Sequence, residues 1–244
     1  MILPLKSNIK VFIGIPQLSR SDKYSSYIGS VLNHIDAQET DVELMKPYIT
    51  PPHAGNFHTG ADDRLDAIVE RMNKILDTFM TTDASHVFIN DGDVEIPPNT
   101  IDTLIRHDVD MASGVYPFHN FDESYSMLFG RVTSYENPCG HIRPRDWDYM
   151  KGRILGETER WGGGTGCLLI KRRVLKRHHP RIKPLRLTRQ GPDRTCGGDI
   201  YFWKRVQDRG FTARIDANIV CGHLPKYPLK DIKSWIRKPI KQDT

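Results

Sequence analysis

Two carboxylates separated by one glycine, Asp91-Gly92-Asp93, are the residues whose types and spacing are best suited to chemistry. They follow His86-Val87-Phe88-Ile89-Asn90, in which Val87, Phe88 and Ile89 have the β-branched and aromatic make-up of a buried strand. Asn90, Asp91, Gly92 and Asp93 are turn formers, so the strand stops there and the chain bends. Both acids are thereby presented at the C-terminal edge of a strand, where open α/β sheets bind ligands. Carboxylate oxygens are hard ligands suited to Mg2+ or Mn2+, ions that share their coordination with substrate phosphates. An isolated Asp-x-Asp is otherwise a solvated acidic turn. The strand before it and the Pro97-Pro98-Asn99-Thr100 helix start after it favour the metal.

Charge and glycine mark the second half of the chain. Between Lys171 and Arg194, ten lysines and arginines face a single acid, Asp193. Such runs are usually solvated surface. This one leads straight into Gly197-Gly198-Asp199, which makes a polyanionic partner a live reading, with Arg181, Lys183 and Arg186 as its contacts. Asp199 opens a helix with Ile200, Trp203 and Val206 inward and Gly210 at its end. An aspartate there is also a plain N-cap. The stretch Trp161-Gly162-Gly163-Gly164-Thr165-Gly166 lacks the Gly-Lys-Ser/Thr and following helix of a P-loop, and Cys167 to Ile170 reads as a strand. Two readings stand: bare backbone that a ligand approaches closely, or a glycine hairpin with no ligand.

The elements that must position these residues alternate between strand and helix, which predicts an α/β fold. Lys10 to Ile15 is a strand closed by Pro16, and Gly14 permits close approach to its backbone. A helix over Tyr27 to Ile35, a strand over Val42 to Met45 and a loop over Pro47 to Phe57 follow. Thr59-Gly60-Ala61-Asp62 resembles a capping box. The helix behind it keeps Leu65, Ile68, Val69, Met72, Ile75, Leu76 and Phe79 on one face. Ile101 to Ile105 is a short helix and Asp110 to Pro117 a strand. Further strands are expected over Ser126 to Tyr135, Arg153 to Glu157 and Phe211 to Val220, the last running into Cys221-Gly222-His223.

The 244 residues suffice for one domain with a sizeable core, and 38% hydrophobic with 27% charged residues is a globular composition. No apolar run approaches the ~20 residues of a membrane span. Met1 to Lys10 lacks a signal-peptide pattern. The four cysteines have no CxxC spacing, which points to a reduced, cytoplasmic protein rather than a disulfide scaffold or zinc site. The expected organisation is one catalytic domain over residues 1–223 and a basic extension over 224–244. That extension alternates Pro, Lys and aromatic residues and suits either an anionic membrane face or a partly ordered tail.

Strand, Asp-x-Asp, then Val94-x-x-Pro97-Pro98-x-Thr100 and a helix resembles the metal and nucleotide-sugar motif of GT-A glycosyltransferases, above all family two and its close relatives. The resemblance runs roughly from Lys10 to His223, with Asp110-x-x-x-Gly114-x-Tyr116, the glycine-rich turn and an aspartate before an aromatic helix in the expected order. It implies a nucleotide-diphospho-sugar transferase fold, a Rossmann-like mixed sheet flanked by helices. It also implies transfer of a sugar from a nucleoside-diphosphate donor, a UDP-sugar being favoured, to an acceptor hydroxyl.

The resemblance implies site residues as well. Ile15 and Pro16 fall beside the base, and Asp91 and Gly166 at the donor. Asp91, Asp93 and His223 fall around Mn2+ or Mg2+, and Asp199 is the general base. Trp161 joins Arg181, Lys183 and Arg186 at the acceptor. Arg64 matches an arginine that faces the nucleotide, although Leu65 replaces the family's asparagine, and an ion pair with Asp63 or Asp66 is the alternative. Gly198 replaces the glutamate that usually precedes the base, leaving inverting and retaining outcomes both open. Hydroxymethylated DNA and a phosphorylated lipid or lipopolysaccharide are the anionic acceptors considered, with the protein cytoplasmic, at a membrane surface or on nucleic acid. A nucleotidyltransferase on a related sheet and a non-catalytic nucleic-acid-binding protein are the rival readings.

Overall fold

Alternation along each strand decides which layer its side chains feed, and the strand His86–Asn90 shows it most plainly. In the computed structural model Val87 and Ile89 join one apolar cluster and Phe88 the other. The structure describes residues 9–17, 22–51, 61–119, 125–127, 129–131, 151–176 and 198–231. The chain runs β1 (Lys10–Ile15), α1 (Asp22–Asp36), β2 (Glu43–Leu44), β3 (Tyr48–Ile49), α2 (Ala61–Met80), β4 (His86–Asn90), β5 (Val94–Glu95) and α3 (Thr100–Arg106). It continues through β6 (Met111–Val115), β7 (Pro117–His119), β8 (Tyr125–Met127), β9 (Phe129–Arg131), β10 (Ile154–Leu155), β11 (Trp161–Gly163) and β12 (Cys167–Lys171). Then come α4 (Arg172–Leu175), α5 (Gly198–Asp208), β13 (Ala213–Val220), β14 (Gly222–His223) and a 3-10 turn at Leu229–Asp231.

Among the described residues, eight strands make a mixed sheet in the order β10-β13-β6-β12-β4-β1-β2, with β3 also paired to β1. β1 is parallel to β4, β6 is parallel to β13, and β12 is antiparallel to both β4 and β6. So β1, β4, β6 and β13 all end at one edge, and β12 begins there. Helices α2 and α5 cover one face, with Met72, Ile75, Leu76, Phe79, Phe202 and Trp203 in its cluster. Helices α1 and α3 cover the other, through Val31, Ile35, Ile101, Leu104 and Ile105. This is the α/β mixed sheet flanked by helices that the sequence leads one to expect.

The helix read over Leu65 to Phe79 packs close against the sheet. A Cβ on Gly14 would lie 2.2 Å from Ile75 Cγ2, so the close approach this glycine permits is that of a helix. Arg172 closes the far end of α2. Its guanidinium donates to the carbonyls of Phe79, Met80, Thr82 and Ala84 and lies 4.2 Å from the Phe79 ring centroid. Helix C-termini leave carbonyls without partners, and a planar five-donor group is well shaped to take several.

Two local expectations are corrected. The stretch from Pro47 contains a strand, β3, because Tyr48 and Ile49 pair with Gly14 and Ile15; a two-residue edge strand leaves no periodicity to read. Trp161 to Gly163 is a strand on β9 rather than a turn. Gly163 packs closely here, since a Cβ on it would lie 3.2 Å from Ser113 Oγ and 3.6 Å from Trp203 Cζ2. Val94 and Glu95, to which the sequence assigned no element, form β5 against β14. The Thr59-Gly60 half of the capping box lies outside the described residues. Among the described residues no helix is long and apolar enough to cross a membrane.

Candidate active site

The shared strand edge collects the candidate residues. Pro16 follows β1, Asp91-Gly92-Asp93 follows β4, Tyr116 follows β6, Gly166 precedes β12, and Cys221 to His223 follows β13. Asn90, fully buried, shapes the acidic turn by donating its amide to the Asp91 carbonyl at 2.9 Å and the Val94 carbonyl at 2.8 Å. That bend lets β5 turn back and pair with β14, with His223 in register with Val94.

The pairing brings a histidine and a carboxylate together. His223 Nε2 is 3.4 Å from Asp93 Oδ2, while its Nδ1 hydrogen-bonds the Pro117 carbonyl at 2.7 Å, in which only the ring nitrogen can donate. Burial resists charge on this ring, but Asp93 and the Pro117 carbonyl outweigh it and hold the pKa above the ordinary value. Nε2 is therefore the nitrogen facing the acid.

Asp91 is placed differently. Its N–H donates to the Gly166 carbonyl at 3.1 Å, and a Cβ on Gly166 would lie 2.7 Å from Asp91 Oδ2. Burial and then the charge of Asp93 push its pKa up to about 7, with His223 pulling it down and Asp199 adding to the rise. Asp199 lies in the first turn of α5, and Oδ1 accepts the Ile200 N–H at 2.8 Å. Its charge adds to the rise at Asp91 and at Tyr116, so the base candidate lies within electrostatic reach of the acidic turn.

Among the described residues, no group of three His, Cys, Asp or Glu side chains gathers to hold a metal ion. The expected trio of Asp91, Asp93 and His223 is thus brought together only as the pair Asp93–His223, with Asp91 turned onto Gly166. The donor chemistry of that pair still suits Mn2+ or Mg2+. A histidine whose other nitrogen is fixed on a backbone carbonyl is the usual arrangement of a ligand. A separation of 3.4 Å is close to that of neighbouring ligands around a hard cation. Such ions commonly take only one or two protein groups and fill the rest with phosphate oxygens and water.

The other expected residues divide. Ile15 is fully buried in the core, Pro16 is buried beside it at the strand edge, and the Ile15 carbonyl accepts the Thr50 N–H at 3.0 Å. Trp161 is 5% exposed and belongs to the core cluster with Trp203, so its ring supports α5 rather than offering a face to an acceptor. Arg64 is in the first turn of α2, and its side chain lies outside the described residues, as do Arg181, Lys183 and Arg186.

Residues after His223 begin inside the fold. Leu224 N–H donates to the Asp93 carbonyl at 2.8 Å, Tyr227 is buried, and Leu229 N–H donates to Glu95 Oε2 at 2.8 Å. Glu95 also accepts from the Ser30 hydroxyl at 2.5 Å, tying α1, β5 and this segment together. Asn90 was legible as a turn former but not for its side-chain bonds, and the contacts of Glu95 and Tyr116 were not foreseen. An acid alternating with buried residues beside an Asp-x-Asp was the available signal for Glu95.

The sheet and the strand-edge site together define a GT-A glycosyltransferase-like fold. Among solved structures, the chain is similar to the mannosyltransferase PcManGT from Pyrobaculum calidifontis, in complex with GDP-Man and Mn2+. That match has 14% identity and a TM-score of 0.54 and covers 90% of this chain and 58% of that one. It is also similar to S. aureus TarS 1-349, at 10% identity and a TM-score of 0.45, covering 87% of this chain and 59% of that one. The chain thus spans a little under three fifths of either solved chain. No protein-family model and no curated protein matches the sequence.

Proposed function

We propose that this protein transfers a sugar from a nucleoside-diphosphate sugar to an acceptor hydroxyl with the help of Mn2+ or Mg2+. The observation that carries the reading is the Asp93–His223 pair at the C-terminal edge of a GT-A-like sheet, with Asp91, Gly166 and Asp199 around it. Asp93 and His223 would hold the cation. When bound, it supplies positive charge to the diphosphate leaving group. Asp91 would meet the donor beside Gly166. Asp199 would take the proton of the acceptor hydroxyl as its oxygen bonds to the sugar carbon and the nucleoside diphosphate departs.

The acceptor rests on the sequence alone. The basic run containing Arg181, Lys183 and Arg186 precedes Asp199 and suits an anionic carrier of the attacking hydroxyl. Duplex DNA and anionic vesicles are distinguished by binding at two ionic strengths, with those three residues changed to Ala as the control.

The deciding experiment is a screen of UDP- and GDP-sugars for nucleoside-diphosphate release, with Mn2+ and with excess EDTA. Release that needs the metal is expected. Pyrophosphate release would turn the assignment to nucleotidyl transfer, and nucleic-acid binding that survives both EDTA and Asp93→Asn, with no release from any donor, would favour a non-catalytic protein.

A further inference from the structure

We propose that Tyr116 is a positioning residue of this site, holding the Gly166 backbone through its hydroxyl and the His223 ring through its own ring; the inference rests on the function proposed above. Tyr116 leaves β6 at the strand edge and is 3% exposed. Its hydroxyl oxygen accepts the Gly166 N–H at 3.0 Å. The carbonyl of the same glycine accepts the Asp91 N–H at 3.1 Å. Gly166 is therefore gripped from both sides, by the tyrosine and by the first acid of the turn.

The fit leaves no slack. A Cβ on Gly166 would lie 3.0 Å from Tyr116 Cζ as well as 2.7 Å from Asp91 Oδ2. On its other side the tyrosine ring meets the His223 imidazole edge-on, with centroids 5.6 Å apart and planes at 88°. Aromatic pairs favour this arrangement because a ring edge is positive and a ring face negative. One side chain thus touches the glycine that backs Asp91 and the histidine that faces Asp93.

The two contacts belong to different atoms, which makes them separable. Removing the hydroxyl frees the Gly166 peptide and leaves the ring contact. Removing the ring also takes away the edge-on contact with His223, leaving its Nδ1 bond to the Pro117 carbonyl. A tyrosine that only fills core space would affect stability and spare both ligand affinities.

The test uses Tyr116→Phe and Tyr116→Leu in the full chain. Binding of UDP and of GDP is titrated in Mn2+, and the Mn2+ half-saturation and the melting temperature are measured alongside. In Tyr116→Phe, nucleotide affinity should fall about five- to tenfold, the scale of one lost hydrogen bond, with Mn2+ half-saturation unchanged. In Tyr116→Leu, Mn2+ half-saturation should also rise about tenfold; if that variant does not fold, Tyr116→Phe decides alone. Wild-type nucleotide affinity in Tyr116→Phe overturns this inference while leaving the functional reading in place. A wild type that binds neither UDP nor GDP overturns that reading, and this inference with it.

Discussion

His223 faces Asp93 across the β5–β14 pair, with Nε2 3.4 Å from Oδ2 and Nδ1 anchored on the Pro117 carbonyl. The contact follows from backbone register, because His223 lies opposite Val94 and the neighbouring Leu224 N–H binds the Asp93 carbonyl. A histidine held this way has one orientation and one nitrogen to offer.

Asp93→Asn and His223→Ala should each keep the fold and lose Mn2+-dependent binding of donor. Asp93 is at a turn and His223 keeps its place through backbone pairing, so melting temperatures should stay near wild type. Calorimetric titration of nucleoside diphosphate with and without Mn2+ is the measurement. Undiminished metal-dependent binding in both variants would remove the cation assignment.

Asp199→Asn should bind donor as wild type does and lose transfer by about 10²–10⁴-fold, the usual weight of a general base. Steady-state kinetics separate the outcomes. A collapse of donor affinity with residual turnover would make Asp199 a donor contact instead.

Arg172→Ala should destabilise the fold by about 2–4 kcal/mol, since charged hydrogen bonds to several carbonyls at the end of α2 are lost together. Arg172→Lys should recover little, because an ammonium cannot span the carbonyls of Phe79, Thr82 and Ala84 at once. Denaturant midpoints report both, and full recovery by lysine would mean that charge alone matters.

His86 gives stability a pH dependence. Burial, and then the charge of Lys171, lower its pKa from 6.5 to about 4. Between these values the unfolded chain binds a proton that the folded ring does not. Stability is therefore fully present above pH 6.5 and falls as the pH drops toward 4, by at most about 3 kcal/mol from this group. His86→Gln should flatten that part of the curve in urea unfolding measured from pH 4 to 7. An unchanged slope would assign the acid sensitivity to other groups.

Composition and short-range pattern determined much of this protein. The apolar run Val87-Phe88-Ile89 ending in Asn90-Asp91-Gly92-Asp93 is a strand and turn in the structure because β-propensity and turn chemistry are local properties. The buried face of α2 was legible for the same reason, a period of 3.6 sustained over many residues. The likeness to GT-A proteins was legible too, because its pieces come in order along the chain.

Only the tertiary structure decided which of those residues meet. Pairing of β5 with β14 joins residues far apart in the chain, and two-residue strands carry no periodic signal, so the Asp93–His223 contact could be expected only through the resemblance. The close approach of Asp91 to Gly166 depends on how β12 abuts β4, a matter of side-chain packing. Trp161 had the type of an exposed ligand platform and became core, because α5 closes over it. Residue type and local spacing name the groups able to do chemistry; register between distant strands and the packing of helices on them decide which of these groups share a pocket.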